Sequence, residues 1–172
     1  AIPASRSLDV AVDHALEQIP AGSRAATAVA FGRGIVGRDD AVERLHREYA
    51  GLPPVHTLNN LALVVWGLLA GEDDYSAAVG DAVAAGWDTD CNAANVGSVM
   101  GLVVGLDRIC ERYDFHSPFA DRIVLPTAEG TRGVTDVLIE DSYLGFVSQL
   151  ISSSHVDGLT IRRSRFQHWL NH

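Results

Sequence analysis

The stretch from Gly86 to Gly105 constrains the fold more than any other part of this chain. Glycine recurs at every fourth position at Gly97, Gly101 and Gly105, no proline interrupts the stretch, and alanine and serine fill much of the rest. Residues four apart lie on one face of a helix, and an interior glycine costs a helix roughly 1 kcal/mol relative to alanine. Three such glycines indicate a face that another backbone approaches closely. We therefore predict a helix from Cys91 to Gly105 that is central and surrounded by other helices.

Two carboxylates come directly before this helix, at Asp88 and Asp90. Carboxylates this close repel each other unless hydrogen bonds or a cation neutralise them, and oxygen donors of this kind are the ligands that Mg²⁺ and Mn²⁺ prefer. Asp90 also suits the N-cap of the following helix. An isolated Asp-x-Asp at a helix start is more commonly a cap and a turn, so these residues alone leave both interpretations open.

Apolar residues at helical spacing predict further helices upstream. Pro20 ends the first helix, Ser23 caps the second, and Asp39 and Asp40 cap the third. Asp73 or Asp74 caps the fifth helix, and Gly86 fits its C-terminal stop. The predicted helices cover residues 8–19, 24–35, 41–49, 58–69, 74–85 and 91–105. No convincing strand interrupts them, so the predicted fold class is all-α.

The pattern loosens after Gly105. A short helix is predicted from Leu106 to Tyr113, a brief extended piece at Ile123–Leu125, and a further helix from Asp136 to Leu150. Residues 161–169 are basic and aromatic, and we interpret them as a mobile or surface-docked terminus in preference to a phosphate-binding arm. The regular helical pattern therefore ends near residue 105.

Composition argues against several classes of protein. At 172 residues, with 47% hydrophobic residues, the chain has the length and the core of one domain. A net charge of −9 argues against a nucleic-acid surface, and no run of about 18 apolar residues is present to span a membrane. Two cysteines, Cys91 and Cys110, are too few for a disulfide framework. We predict a cytoplasmic protein that binds neither nucleic acid nor membranes.

Residues 86–94, Gly-Trp-Asp-Thr-Asp-Cys-Asn-Ala-Ala, resemble the C-terminal metal motif of the ADP-ribosylglycohydrolase family. In that family the motif runs Gly-x-Asp-Thr-Asp-Thr/Ser and leads into a helix rich in alanine and glycine. The resemblance extends upstream through residues 59–75 and back to residues 15–24. It covers residues 8–105 well and the variable tail, residues 106–172, only loosely.

This resemblance implies an all-α, multi-helix orthogonal bundle of the ADP-ribosylglycohydrolase type. Residues 1–172 would form the C-terminal half of that fold. Family members carry further metal ligands on a Gly-Asp-x-x-Gly element and a Thr-Asp-Asp-Ser/Thr element of an N-terminal half, and neither occurs in this sequence. We therefore expect that half as a partner, on a separate or cleaved chain.

The resemblance also implies a function and its residues. The expected activity is metal-dependent hydrolysis of the glycosidic bond of an ADP-ribosyl group or a related riboside, at a binuclear Mg²⁺ or Mn²⁺ centre. The family's two aspartate ligands map onto Asp88 and Asp90, which we predict to be metal ligands and catalytic residues. Cys91, the third predicted ligand, stands where the family usually has threonine or serine. Because a thiol is a poor ligand for Mg²⁺, either the second metal site is weakened or Asn92 or water completes it.

Three further residues are predicted to bind substrate: Asn60, Trp87 and Asn92. Asn60 has an alternative role as a cap of the apolar fourth helix, and Trp87 as a packing residue beneath the metal-binding turn. His56 is more commonly polar surface than a general base, and Cys91 is more commonly a small packed residue than a nucleophile.

Two other functions fit the same residues. The first is a divergent enzyme on this scaffold that acts on another riboside or small molecule, because Cys91 departs from the family pattern and a fold does not fix a substrate. The second is a non-catalytic binding or structural protein. Such a protein would bind no divalent ion even with both halves of the fold present.

Overall fold

Seven helices and two short strands make up the regular structure that the computed structural model describes, in residues 7–115, 117, 118, 120, 122–124 and 134–136. The helices are α1 (Leu8–Leu16), α2 (Arg24–Gly34), α3 (Ala41–Glu48), α4 (Thr57–Ala70), α5 (Tyr75–Ala84), α6 (Thr89–Val104) and α7 (Leu106–Ile109). The strands are β1 (Arg122–Val124) and β2 (Val134–Asp136). The prediction of a mainly helical fold is confirmed, and each predicted helix up to residue 105 is present within a few residues of its expected ends.

Helix α4 is the centre of the helical unit, Ala1–Phe115. It packs against α1, α2, α3, α5 and α6, and seven of its 14 residues are buried. A helix that is apolar on nearly every side is stable in water only when neighbours cover all of those sides. Its own Leu63 is fully buried, and so are the surrounding side chains of Leu45, Val96 and Met100.

Helix α6, in contrast, lies at the surface of the described part of this unit. It packs on α5 and α4 and buries Asn92, Val96, Gly97 and Met100. Its opposite face is exposed along residues 91, 94, 95, 98 and 102. The prediction that this helix is central and surrounded is therefore wrong for the residues described, because α4 occupies that position.

The glycines of α6 serve different purposes. A Cβ at Gly97 would lie 2.9 Å from the hydroxyl oxygen of Tyr75 on α5, so a larger residue here would have to displace the end of that side chain. Gly101 meets only the side-chain end of Ile109, at 3.5 Å. Gly105 ends the helix with a φ of 80°, a conformation that glycine adopts without strain. One close contact and one helix stop thus account for a spacing that we interpreted as a single packing face.

Side chains cap several helices as the sequence predicts. The hydroxyl of Ser23 accepts a hydrogen bond from the backbone N–H of Ala26, at 3.1 Å, and Asp74 accepts one from Ala77, at 2.9 Å. This second bond, assisted by Arg112, holds the pKa of Asp74 below its usual value. Asp40 lies at the N-cap of α3 without capping it, because its carboxylate pairs with two arginines.

The second unit, His116–His172, contains the two strands. They pair antiparallel with Ile123 opposite Thr135, so the extended piece predicted at Ile123–Leu125 is present one residue earlier. Asp136, predicted to begin a helix, lies in β2 because pairing with β1 holds it extended. The rest of that predicted helix and residues 161–169 lie outside the described residues, and the helix predicted to reach Tyr113 ends at Ile109.

No helix in the described ranges is long and apolar enough to cross a lipid bilayer. The apolar stretch in the sequence that most resembles a membrane span lies in α4, which has 14 residues. A membrane-spanning helix needs about 20. The length of α4 therefore suits its position in the core.

Helices α2 and α4 approach each other most closely at Gly32. A Cβ built on Gly32 would collide with the carbonyl oxygen of Ala62 and lie 3.1 Å from its carbonyl carbon. Both partners in this contact are backbone atoms in helices, which cannot turn aside as a flexible side chain would. The short distance between α2 and α4 therefore requires glycine, which has no side-chain carbon, at position 32.

We expect Gly32→Ala to lower the free energy of unfolding by about 1–3 kcal/mol, the usual cost of overpacking a core. Gly80→Ala is the matched control, since Gly80 is an exposed helical glycine with no atom within 4 Å of an added Cβ. It should raise stability by up to about 1 kcal/mol. Urea unfolding followed by circular dichroism measures both, and equal effects of the two substitutions would contradict the close α2–α4 contact.

Candidate metal centre

A left-handed turn connects α5 to α6 and positions the candidate ligands. Gly86 and Trp87 both have positive φ angles, of 90° and 59°. Glycine adopts this conformation readily, and Gly86 therefore ends α5 as predicted. Tryptophan does so at a cost of roughly 1–2 kcal/mol, so packing around Trp87 must hold it there. The turn delivers Asp88 to the start of α6.

Asp88, and not Asp90, occupies the N-cap position of α6. The prediction that Asp90 caps this helix is wrong because the left-handed turn is complete at Trp87, and helical geometry begins at Thr89. The side chain of Asp88 makes no capping hydrogen bond. Asp90 lies in the first helical turn, where the partial positive charge of the helix N-terminus favours a carboxylate.

Asp88, Asp90 and Cys91 form a compact cluster of possible ligand atoms. One ligand atom from each lies within 4.8 Å of the other two. Asp88 is half-buried, whereas Asp90 and Cys91 are exposed. The sequence motif therefore corresponds to a real spatial cluster at the surface of the helical unit.

Hydrogen bonds fix the charge states within this cluster. The backbone N–H of Cys91, and then the Asp88 side chain, lower the pKa of the Asp90 carboxyl group. The hydrogen bond of Cys91 to Asp88, and then the charges of both carboxylates, raise the pKa of its thiol above the usual value. Asp90 is thus a carboxylate and Cys91 a neutral thiol at neutral pH. A thiol that resists ionisation is a poor nucleophile, which disfavours that role for Cys91.

Asn60 connects the start of α4 to this cluster. Its side-chain oxygen accepts hydrogen bonds from the Asn92 amide at 2.7 Å and from the backbone N–H of Asp88 at 3.4 Å. Its amide nitrogen donates to the carbonyl oxygens of Pro54 and His56, at 2.7 and 2.9 Å. Asn92 is almost fully buried, with 1% exposure. The substrate-binding roles of Asn60 and Asn92 stay predictions, since the structure places both in this internal network.

An aromatic contact holds the turn from the other side. The ring of His46 packs against Trp87 with centroids 4.4 Å apart, and Tyr49 meets the same indole edge-on at 6.3 Å. His46 Nε2 also donates a hydrogen bond to the carbonyl oxygen of Ala85, at 2.8 Å. Trp87 is partly exposed, so it both packs in the turn and remains accessible. His46 was not predicted from the sequence, because its partner Ala85 is 39 residues away and no local motif marks the position.

His56 occupies the N-cap of α4, a role that we predicted as an alternative for Asn60. Its Nδ1 accepts a hydrogen bond from the backbone N–H of Leu58, at 3.1 Å. Asn59 is fully buried and donates to the carbonyl oxygens of Pro53 and Pro54. This capping bond gives His56 a local structural role in place of the general-base alternative.

Comparison with known proteins identifies the family. The sequence profile described as ADP-ribosylglycohydrolase matches residues 1–129. The chain belongs to the ADP-ribosylglycohydrolase family. No curated protein and no solved structure gave a significant match. Membership confirms the resemblance carried by residues 86–94 and indicates a hydrolase of the ADP-ribosylglycohydrolase type.

The donor set of this ADP-ribosylglycohydrolase family member fits a hard divalent cation in part. Asp88 and Asp90 offer carboxylate oxygens, which Mg²⁺ and Mn²⁺ prefer, whereas the sulfur of Cys91 suits softer ions. The ligand atoms are close enough together for one ion to contact more than one of them. Asp88, Asp90 and Cys91 are therefore a candidate metal site in which oxygen supplies the stronger ligands.

We expect His46→Ala to lower the free energy of unfolding by about 1 kcal/mol, because it removes one hydrogen bond and an aromatic contact from the turn. The control is His14→Ala, a change of an exposed histidine in α1, which should fall within about 0.5 kcal/mol of the parent. Denaturant unfolding gives both values. A His46→Ala variant as stable as the parent would mean that this contact does not hold the turn.

Proposed function

We propose that this chain supplies one side of a divalent-metal centre that cleaves the glycosidic bond of an ADP-ribosyl group or a related riboside. The observation that carries the proposal is the clustering of Asp88, Asp90 and Cys91 at the start of α6, in a chain of the ADP-ribosylglycohydrolase family. The proposed ions are Mg²⁺ or Mn²⁺, in a binuclear centre.

Each residue of the candidate site has a distinct proposed role. Asp88 and Asp90 hold the metal, and the lowered pKa of Asp90 keeps that carboxylate ready to bind at neutral pH. A bound divalent ion supplies Lewis-acid chemistry, polarising the bond to be cleaved and lowering the pKa of a coordinated water. Trp87, partly exposed beside the ligands, offers an aromatic surface for the substrate. Asn60 and Asn92 hold the ligand segment in place.

The remaining ligands come from outside this cluster. Mg²⁺ requires six oxygen ligands in near-octahedral geometry, whereas Asp88 and Asp90 provide two carboxylates. Water, substrate hydroxyls and an N-terminal half of the fold, carried on a separate or cleaved chain, are the proposed sources. The exposure of Asp90 and Cys91 supports this arrangement, because exposed side chains leave room for ligands from outside the chain. Native mass compared with denatured mass tests for it: a co-purifying polypeptide with further acidic motifs is the expected result.

We expect Asp90→Asn to reduce metal-dependent turnover more than about 100-fold, beyond the 10–100-fold effect typical of residues that only support a metal ligand. The assay follows release of ADP-ribose from ADP-ribosylated protein and from small ADP-ribosides, with Mg²⁺, using the protein as isolated with any partner. Asp81→Asn, at an exposed site on α5, controls for loss of one surface charge and should retain full activity. Turnover by Asp90→Asn that survives at saturating Mg²⁺ would refute the ligand assignment.

Cys91 is tested by exchanging hard and soft metals. We expect Cys91→Ser to strengthen Mg²⁺ binding and to weaken Cd²⁺ binding, because a hydroxyl is a hard donor and a thiolate a soft one. Isothermal titration calorimetry measures the two affinities, and Cys110→Ser is the control for loss of the other free cysteine. If both affinities keep their ratio in Cys91→Ser, the side chain does not contact the ion.

A further inference from the structure

We propose that Asn60 is the positioning residue of the metal centre: it holds the ligand-bearing segment in place and does not itself bind metal or substrate. This inference rests on the function proposed above. It concerns the four hydrogen bonds of Asn60, which extend from the Pro53–His56 loop to both ends of the segment 88–92.

The hydrogen-bonding capacity of Asn60 is used entirely within the protein. A primary amide offers two N–H donors and two acceptor positions on its oxygen. Both donors go to backbone carbonyl oxygens, of Pro54 and His56. Both acceptor positions are taken by the backbone N–H of Asp88 and the amide of Asn92. A substrate hydroxyl would have to displace one of these bonds.

One oxygen atom therefore fixes both ends of the ligand segment. Asp88 and Asn92 flank Asp90 and Cys91, and each donates a hydrogen bond to Asn60 Oδ1. The donors of Asn60 anchor that oxygen to the loop before α4, the central helix. These hydrogen bonds connect the carboxylate segment to the most deeply packed helix of the unit. Asp88 and Asn92 are 28 and 32 residues from Asn60 in sequence.

The turn before the segment needs such support, because the local backbone hydrogen bond, from the Asn92 N–H to the Asp88 carbonyl oxygen at 2.9 Å, orders only the helical turn that follows. The residue before Asp88 is Trp87, held in a left-handed conformation with a φ of 59°, and the Asp88 side chain makes no capping bond. Polar groups that orient metal ligands commonly affect affinity by 10–100-fold although they do not touch the ion. Asn60 is placed to have an effect of this size.

Asn59 provides a close internal control. It is the adjacent residue on α4, is fully buried, and donates to the carbonyl oxygens of Pro53 and Pro54. Asn59 thus contacts the same loop as Asn60, with the carbonyl oxygen of Pro54 as their common acceptor, and no hydrogen bond joins it to the ligand segment among the contacts described. A purely structural effect of losing loop contacts should appear in both residues, whereas a positioning effect should appear only in Asn60.

The test uses the full chain labelled with ¹⁵N, as isolated with any co-purifying partner, titrated with Mn²⁺ as the only added metal and monitored by NMR. Paramagnetic broadening of the backbone amides of residues 88–92 gives the affinity, and hydrogen exchange of the Asp88 amide, measured without metal, gives the rigidity of the turn. We expect Asn60→Ala to raise the Mn²⁺ concentration for half-maximal broadening about 10-fold and to speed exchange at Asp88. Asn59→Ala and Asn95→Ala, the latter exposed on α6, should leave both readouts unchanged.

A second variant keeps the test decisive if Asn60→Ala does not fold. Asn92→Ala removes one bond to Asn60 Oδ1 and leaves its loop contacts in place, so it should weaken Mn²⁺ binding as well. Unchanged Mn²⁺ binding by Asn92→Ala would overturn the positioning role, and this measurement does not require the Asn60 variant. Where Asn60→Ala does fold, the two losses in the double variant should be less than additive, because both substitutions break the same network. Independent, additive losses would overturn the positioning role.

The outcomes separate this inference from the proposed function. If Mn²⁺ does not broaden residues 88–92 in the unmodified chain, the proposed function fails, and the positioning role fails with it. If Mn²⁺ binds but Asn60→Ala leaves the titration unchanged, or Asn59→Ala weakens it equally, only the positioning role is overturned.

Discussion

Burial of α4 on all sides is the constraint from which the rest of the helical unit follows. Five helices pack around it, and the closest approach, at Gly32, leaves no room for a methyl group beside Ala62. The same helix carries Asn60 near its N-terminus. Packing of the core and orientation of the candidate ligands therefore both depend on α4. A displacement of α4 would also move residues 88–92.

The candidate ligands of the metal centre are held in place by residues from other helices. Two carboxylates and a thiol lie within 4.8 Å of one another, and a strained turn precedes them. Asn60 supports one side through hydrogen bonds, and His46 supports the other through its contact with Trp87. Neither support carries a candidate ligand. The surface cluster thus depends on residues from α3 and α4 as much as on its own segment.

The sequence predicted local features well and contacts between distant residues poorly. Helical spacing, Ser23, Asp74 and Gly86 identified the helices and several of their ends, because each acts over only a few residues. The Asp88–Asp90 motif located the candidate ligands. The position of α6 at the surface was not predictable, because four-residue glycine spacing fits a packing face as well as a single contact at Gly97 followed by a stop at Gly105.

Three properties of the site could not be predicted from the sequence. Tryptophan rarely adopts a positive φ, so nothing in the residue types indicated that the turn ends at Trp87 and that Asp88 begins the helix. The contact of His46 spans 39 residues and involves a residue type that is common on surfaces. The role of Asn60 likewise emerges only when α4 and α6 are brought together, since its partners are 28 and 32 residues away.

The contact of Trp87 with His46 also bears on the dynamics of the centre. Helix α3, which carries His46, has only eight residues and lies at the edge of the unit, where several of its side chains are exposed. Short peripheral helices open at a lower free energy than the core does. When the exposed last turn of α3 frays, Trp87 loses its packing partner while α4 stays folded. The ligand turn then loses its support on this side ahead of global unfolding, while Asn60 still holds the segment 88–92 from α4.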